Sequence, residues 1–177
     1  MRRFAALALA ALGLFLPPLA VVAGNAAVGD IPLVDQRGVA FHLRDVVGSP
    51  TAITFVATRC QDTCPIVNAV FARLARAGLH ARLVTVSLDP AYDTPIVVAN
   101  YARQLSAFAP AWSFVTGRPA DVAHVLAAFG VAVEKGADGI PDAHSDLIYV
   151  LDRRGRLKST LPLSTHSFAD LRSALAG

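Results

Sequence analysis

The sequence predicts one α/β domain built on a mixed sheet. Three observations lead there. Apolar runs of strand length alternate with segments of helical periodicity, the final third closes with a hairpin and a helix, and no repeat or low-complexity linker divides the chain. The 177 residues suffice for one sizeable core.

The elements follow in order. "DIPLVDQRGVAFHL" predicts two short strands around a turn at Gln36-Arg37-Gly38. Thr51 to Ala57, "TAITFVA", is near-continuously apolar, as in a strand covered on both faces. In "PIVNAVFARLARAG", Val67, Val70, Phe71 and Leu74 recur at three and four, and Gly78 supplies a stop. "ARLVTVSLD" is a second buried strand, and "DTPIVVANYARQLSAF" opens a helix with Asp93 or Thr94 as cap and Pro95 in its first turn. "WSFVTG" is a third strand whose Trp112 and Phe114 belong in the core, and "RPADVAHVLAAFG" is a helix opened by proline and closed by Gly130. "DLIYVLDRRGRLKSTL" reads as a hairpin turning at Arg154-Gly155. Ser167 to Ala176 makes a last helix, with Ser167 and Asp170 spaced as in a capping box. In "SLDPAYDTP", Asp89-Pro90 is read as ending a strand and Asp93-Thr94-Pro95 as starting a helix, which assigns both aspartates to structure rather than catalysis.

Hydrophobic residues make up 54% of the chain and its mean hydropathy is +0.50, an excess concentrated at the start. "MRRFAALALAALGLFLPPLAVVAG" carries two arginines, an apolar run from Phe4, then small residues. Residues 1–23 are therefore expected to be a signal peptide, cut after Val21-Val22-Ala23, or a membrane anchor. Phe4 to Ala23 approaches the ~20 residues that span a bilayer. Residues 30–177 form the domain, and either leader sends it out of the cytoplasm. Of the 16 basic residues, Arg2 and Arg3 lie in the leader, which leaves 14 against 13 acidic ones and a balance of +1. With no basic run remaining, a nucleic-acid role has no electrostatic support.

Both cysteines fall in one stretch, "TRCQDTCP", between a predicted strand and a predicted helix. Open α/β sheets place their sites at that end of a strand. The helix N-terminus and Arg59 favour thiolates, and Asp62 opposes them. Paired cysteines in an oxidising compartment are most simply a structural disulfide, but a bridge closing so short a loop removes little chain entropy. Four apart on a helical turn, two side chains sit roughly 5–6 Å apart at Cβ. Metal–sulfur bonds of ~2.3 Å bridge that span with modest adjustment, whereas a disulfide needs Cβ atoms at ~3.5–4.5 Å. A disulfide, a redox dithiol and part of a metal site all remain open. A metal would need a third ligand, for which His42, His80, His124, His144 and His166 are the candidates. His80 and His124 lie among polar neighbours on helical segments, His42 in the N-terminal hairpin, and His166 ahead of a helix. His144 stands apart, in a loop after "KGADGIPDAH" that enters the strand "LIYVLD".

"TRCQDTCP", "VSLDPAYDTP", "WSFVTGRPADVAHVLAAFGV" and "DAHSDLIYVLDRRGRL", in that order, resemble the successive motifs of the Sco/SenC family. The resemblance runs from about Asp30 to the end. It implies a thioredoxin-like three-layer sandwich with a mixed central sheet and an added N-terminal β-hairpin. It further implies one copper per monomer, Cu(I) or Cu(II), held by Cys60, Cys64 and His144. The implied role is copper delivery to, or thiol maintenance of, the CuA centre of cytochrome oxidase. The expected partner is accordingly the CuA subunit or another copper protein. A monomer is expected, in the bacterial periplasm, free or tethered to the inner membrane through residues 4–23. Two positions depart from the family pattern. Gln61 replaces a proline, and Ala143 stands where an aspartate usually precedes the histidine, with Asp142 one place earlier.

Ligand chemistry agrees with copper. Thiolates select Cu(I), zinc or iron–sulfur, and imidazole suits zinc and copper. A structural zinc site wants four ligands, and the chain has neither a third cysteine nor a methionine beyond Met1. Two other readings use the same cysteines. A thiol–disulfide oxidoreductase would cycle Cys60 and Cys64, and a peroxidase would oxidise Cys60 and resolve it with Cys64.

Overall fold

The computed structural model describes residues 29–144 and 146–176; the side chains of residues 142–144 are outside that description. The leader assigned to residues 1–23 also lies outside the described residues. In chain order the elements are β1 (Leu33–Asp35), β2 (Ala40–Phe41), a 3-10 turn (Leu43–Val46), β3 (Thr51–Val56), α1 (Cys64–Arg76), β4 (Arg82–Ser87) and α2 (Pro95–Gln104). There follow β5 (Trp112–Thr116), α3 (Pro119–Ala128), β6 (Val133–Lys135), β7 (Pro141–His144), β8 (Leu147–Leu151), β9 (Leu157–Pro162) and α4 (Ser167–Ala176).

Seven strands form one sheet in the order β2-β1-β5-β4-β3-β8-β9. β3, β4 and β5 run parallel, while β1, β8 and β9 are antiparallel to their neighbours, so the sheet is mixed as expected. β1 and β2 pair antiparallel, Leu33 against Phe41. The continuous apolar runs are explained by cover on both faces. β3 and β5 are buried at every position. On one face Phe71 and Leu74 of α1, Val98 of α2 and Leu171 of α4 pack on Val56, Trp112 and Ile148. On the other, Val122 and Val125 of α3 and Leu43 of the 3-10 turn pack on Phe55, Val84 and Val115.

Aromatic rings pin both layers. Phe55, Phe129 and Tyr149 meet edge to face with centroids 5.3, 5.7 and 5.0 Å apart, a geometry that aligns ring edges with ring faces. Trp112 is fully buried, and its indole Nε1–H donates to Thr85 Oγ1 at 3.0 Å. The hairpin between β8 and β9 turns as the sequence suggests. Gly155 takes φ +72°, a left-handed conformation that glycine adopts without strain, and its N–H donates to the Asp152 carbonyl.

Three local expectations differ. Thr94 is the α2 N-cap but makes no side-chain capping bond, and Asp93 turns into the interior. Ser167 opens α4 as its first residue; its Oγ accepts the Ser164 N–H at 2.7 Å, closing the preceding turn. The segment read as a loop before β8 is structured, because β6 and β7 pair in a separate two-stranded sheet around a turn at Gly136–Ile140. Among the described residues no helix is long and apolar enough to cross a membrane.

Candidate metal centre

The direction of two strands assembles the site. β3 ends at Val56 and runs antiparallel to β8, with Ile53 opposite Tyr149. The loop leaving β3 and the segment entering β8 at Leu147 therefore lie at the same end of the sheet. The first carries both cysteines and the second follows His144.

The chain turns sharply after Ala57, whose carbonyl accepts the Cys60 N–H at 3.1 Å. It then bends at Asp62-Thr63 and enters α1 at Cys64, with Pro65 in the first turn. Cys60 thus precedes the helix, and the two cysteines do not share a helical turn as their spacing suggests. The loop itself brings the thiols close: Cys60 packs against the core layer that holds Cys64, near enough to push the Cys64 thiol up. Both are free thiols, Cys60 half-buried and Cys64 only 1% exposed. Cys60 touches the core on both faces of the sheet.

The expected thiolate character is not what the surroundings of Cys64 produce. Burial pushes its thiol well above the usual range, the adjacent Cys60 thiol adds to the rise, and a backbone contact with Ala57 opposes it. Desolvation outweighs the helix terminus because the sulfur sits inside the core. Nor is Arg59 committed to the sulfurs. Its Nη2 donates to Asp89 Oδ2 at 2.7 Å, and its guanidinium stacks 4.1 Å from the centre of the Tyr92 ring.

Asp89 and Asp93, assigned by sequence to a strand end and a helix start, instead support the cysteine loop. Asp93 is fully buried and accepts the Thr58 hydroxyl, the Thr58 N–H at 3.3 Å and the Ser87 hydroxyl at 2.6 Å. Burial holds its pKa above the ordinary carboxylate value, with the Ser87 and Thr58 bonds pulling the other way. Asp89, 2% exposed, pairs with Arg59 and also with Lys135 Nζ at 3.2 Å. A signal was present in the sequence. Two carboxylates just beyond a parallel strand buried from Leu83 to Ser87 must emerge beside the loop that leaves the neighbouring strand.

His144 ends β7 opposite Val133 rather than lying in a loop. β7 carries one extra residue against β6, since Glu134 faces Ala143 and Lys135 faces Pro141. That extra residue is Asp142, one place before Ala143, where this chain departs from the family pattern. The other histidines do not converge here. His80, His124 and His166 are exposed, and His42 caps the 3-10 turn after β2. Among the described residues no three His, Cys, Asp or Glu side chains cluster as a metal site, and the His144 imidazole is outside that set. Between the cysteine loop and the β6–β7 turn runs an open groove of about 800 Å3, lined by Cys60, Gln61, Asp138, Ile140 and Asp146.

The family model described as SCO1/SenC matches residues 22–176. The chain belongs to the SCO1/SenC family. A SCO2-like protein of Rickettsia felis is 31% identical over 137 residues, which span 72% of this chain and 65% of that protein. Bradyrhizobium japonicum ScoI, solved with copper bound, is 32% identical, with a TM-score of 0.67 over 81% of this chain and 96% of that one. BsSco, a Sco-family cytochrome c oxidase assembly protein in which a disulfide switch was identified, is 20% identical. Its TM-score of 0.65, over 82% of this chain and 91% of that one, shows the shared fold. The thioredoxin-like arrangement implied by the sequence motifs is thus the fold of this SCO1/SenC member. Its paired thiols suit a soft cation, because sulfur donors favour Cu(I) and zinc over hard ions.

Proposed function

We propose that this SCO1/SenC protein is a copper carrier of the exported compartment, binding one copper through Cys60, Cys64 and His144. The observation that carries the reading is the proximity of two free thiols at the sheet end where β7 and β8 follow one another. The copper-bound state of Bradyrhizobium japonicum ScoI supports it. Two sulfurs and one imidazole make a trigonal set for Cu(I), leaving one side free for transfer through the groove beside Cys60. The recipient is the CuA subunit of cytochrome oxidase, in keeping with the assembly role stated for BsSco. The leader of residues 1–23 directs the chain to the periplasm or tethers it to the inner membrane, and the carrier works as a monomer.

Metal analysis of the purified protein, with free thiols counted alongside, tests this. One copper per chain is expected, with intense sulfur-to-copper absorption in the Cu(II) form. Cys60→Ser, Cys64→Ser and His144→Ala should each abolish or greatly weaken that band. Undiminished binding in any of the three removes that residue from the ligand set.

A second reading is favoured by the same thiol proximity and by the disulfide switch identified in BsSco. Here Cys60 and Cys64 exchange with partner disulfides. Fast reduction of insulin by the dithiol form, unaffected by His144→Ala, would favour it over copper transfer.

A further inference from the structure

Two pieces of the candidate centre come from distant parts of the chain, and one buried carboxylate touches both. Asp89 Oδ2 receives Arg59, the residue before Cys60, and Asp89 Oδ1 receives Lys135 from β6. Among the described residues, β6 is the only strand to which β7 is paired. A two-stranded sheet is marginal by itself, so this arm depends on contacts with the body of the protein. Val131 and Val133 supply an apolar one. Lys135 supplies a directional one, and it sits at the register shift of the β6–β7 pair, opposite Pro141. Bulges of this kind re-aim a side chain.

The turn around Asp89 does not need its carboxylate. The Asp89 carbonyl accepts the Tyr92 and Asp93 N–H groups, and its own N–H donates to Ser87 Oγ at 3.0 Å. Those bonds leave both carboxylate oxygens to the two cations.

We infer that Asp89 is a positioning residue: through Arg59 and Lys135 it joins the cysteine loop to the β6–β7 arm, and so sets where His144 meets the two sulfurs. This rests on the proposed role of His144 as a ligand. The claim is about geometry between ligands, and Asp89 itself touches no metal.

The test is a double-mutant cycle on Cu(I) affinity, measured by competition with a chromophoric Cu(I) chelator at fixed pH. Lys135 is half exposed, so Lys135→Gln should fold. It is expected to weaken Cu(I) binding about 10-fold in the otherwise native protein, the lower range for loss of an outer contact. In a His144→Ala background the same change should cost less than about twofold, because the arm then has no ligand to place. Lys135→Arg, which can still reach Asp89, should restore affinity to near the native value. In the metal-free protein, amide exchange across 133–144 should quicken in Lys135→Gln. Equal weakening in both backgrounds, no weakening in the His144 protein, or unchanged amide exchange would overturn the inference. His144→Ala alone reports on the ligand assignment: an unchanged affinity there removes His144 from the ligand set and the inference with it, whereas a large loss there with a silent Lys135→Gln sinks only the role of Asp89.

Discussion

Thr63, the residue before Cys64, donates its hydroxyl to Asp146 at 2.9 Å, across 83 positions of sequence. A threonine at a helix N-cap ordinarily accepts an N–H of its own first turn. Here it makes no such capping bond and reaches to the segment between β7 and β8. The start of α1 is thereby fastened to the stretch that follows His144, on the opposite flank of the cysteine loop from Asp89.

Thr63→Val removes that bond while keeping the shape of the side chain. The pair is largely exposed, so stability should fall by no more than about 1 kcal/mol in urea denaturation. Cu(I) affinity should fall several-fold, because the loop loses a restraint next to one sulfur. A stability loss with unchanged affinity would reduce the bond to a strap.

The two thiols should differ sharply in reactivity. Cys60 faces the groove, whereas Cys64 is buried with its thiol raised by desolvation. Iodoacetamide at neutral pH, read by mass spectrometry, should label Cys60 first, and Cys60→Ser protein should react far more slowly than Cys64→Ser. If Cys64 is a ligand, as proposed, its proton must leave when the metal binds, and Cu(I) affinity should then rise at least about tenfold per pH unit from pH 6 to 8. A flat profile would mean Cys64 is already ionised.

Asp93 gives a pH signature of stability. Its folded pKa lies above the ordinary carboxylate value, so the folded state holds its proton more tightly. That contribution is fully present below the unfolded pKa of about 3.9 and is lost as pH rises through the folded pKa. Asp93→Asn should therefore cost more stability at pH 4 than at pH 7. At neutral pH the loss should still be about 2 kcal/mol, since hydrogen bonds from Thr58 and Ser87 are disturbed. A larger loss at pH 7 than at pH 4 would reverse the assigned direction.

Trp112 reports on the core by fluorescence as the single tryptophan. Thr85→Val strands its buried indole N–H, at a cost of about 1–3 kcal/mol. Emission should stay blue-shifted in the folded state and move red in one step on unfolding, at a lower denaturant midpoint. An unchanged midpoint would mean another acceptor takes the proton.

The order of strands and helices was legible from residue patterns, because covered strands such as Thr51–Val56 must be apolar throughout and amphipathic helices such as α1 must repeat at three and four. The cysteine pair between strand and helix was legible for the same local reason, whereas the strand that His144 ends was read as a loop. What local pattern could not carry was the use of polar side chains across the sheet. Asp93 beside Thr94-Pro95 satisfies every rule for a helix start, yet the fold turns its carboxylate toward Thr58, 35 positions away. Asp89 and Lys135 are 46 apart, and Thr63 and Asp146 are 83 apart. Such partners are chosen by which strands lie side by side and in which direction they run. The sequence by itself determined which groups could bind a soft metal; only the tertiary structure decided which carboxylates hold those groups in place, because a hydrogen bond needs its two atoms within about 3 Å and chain separation says nothing of that distance.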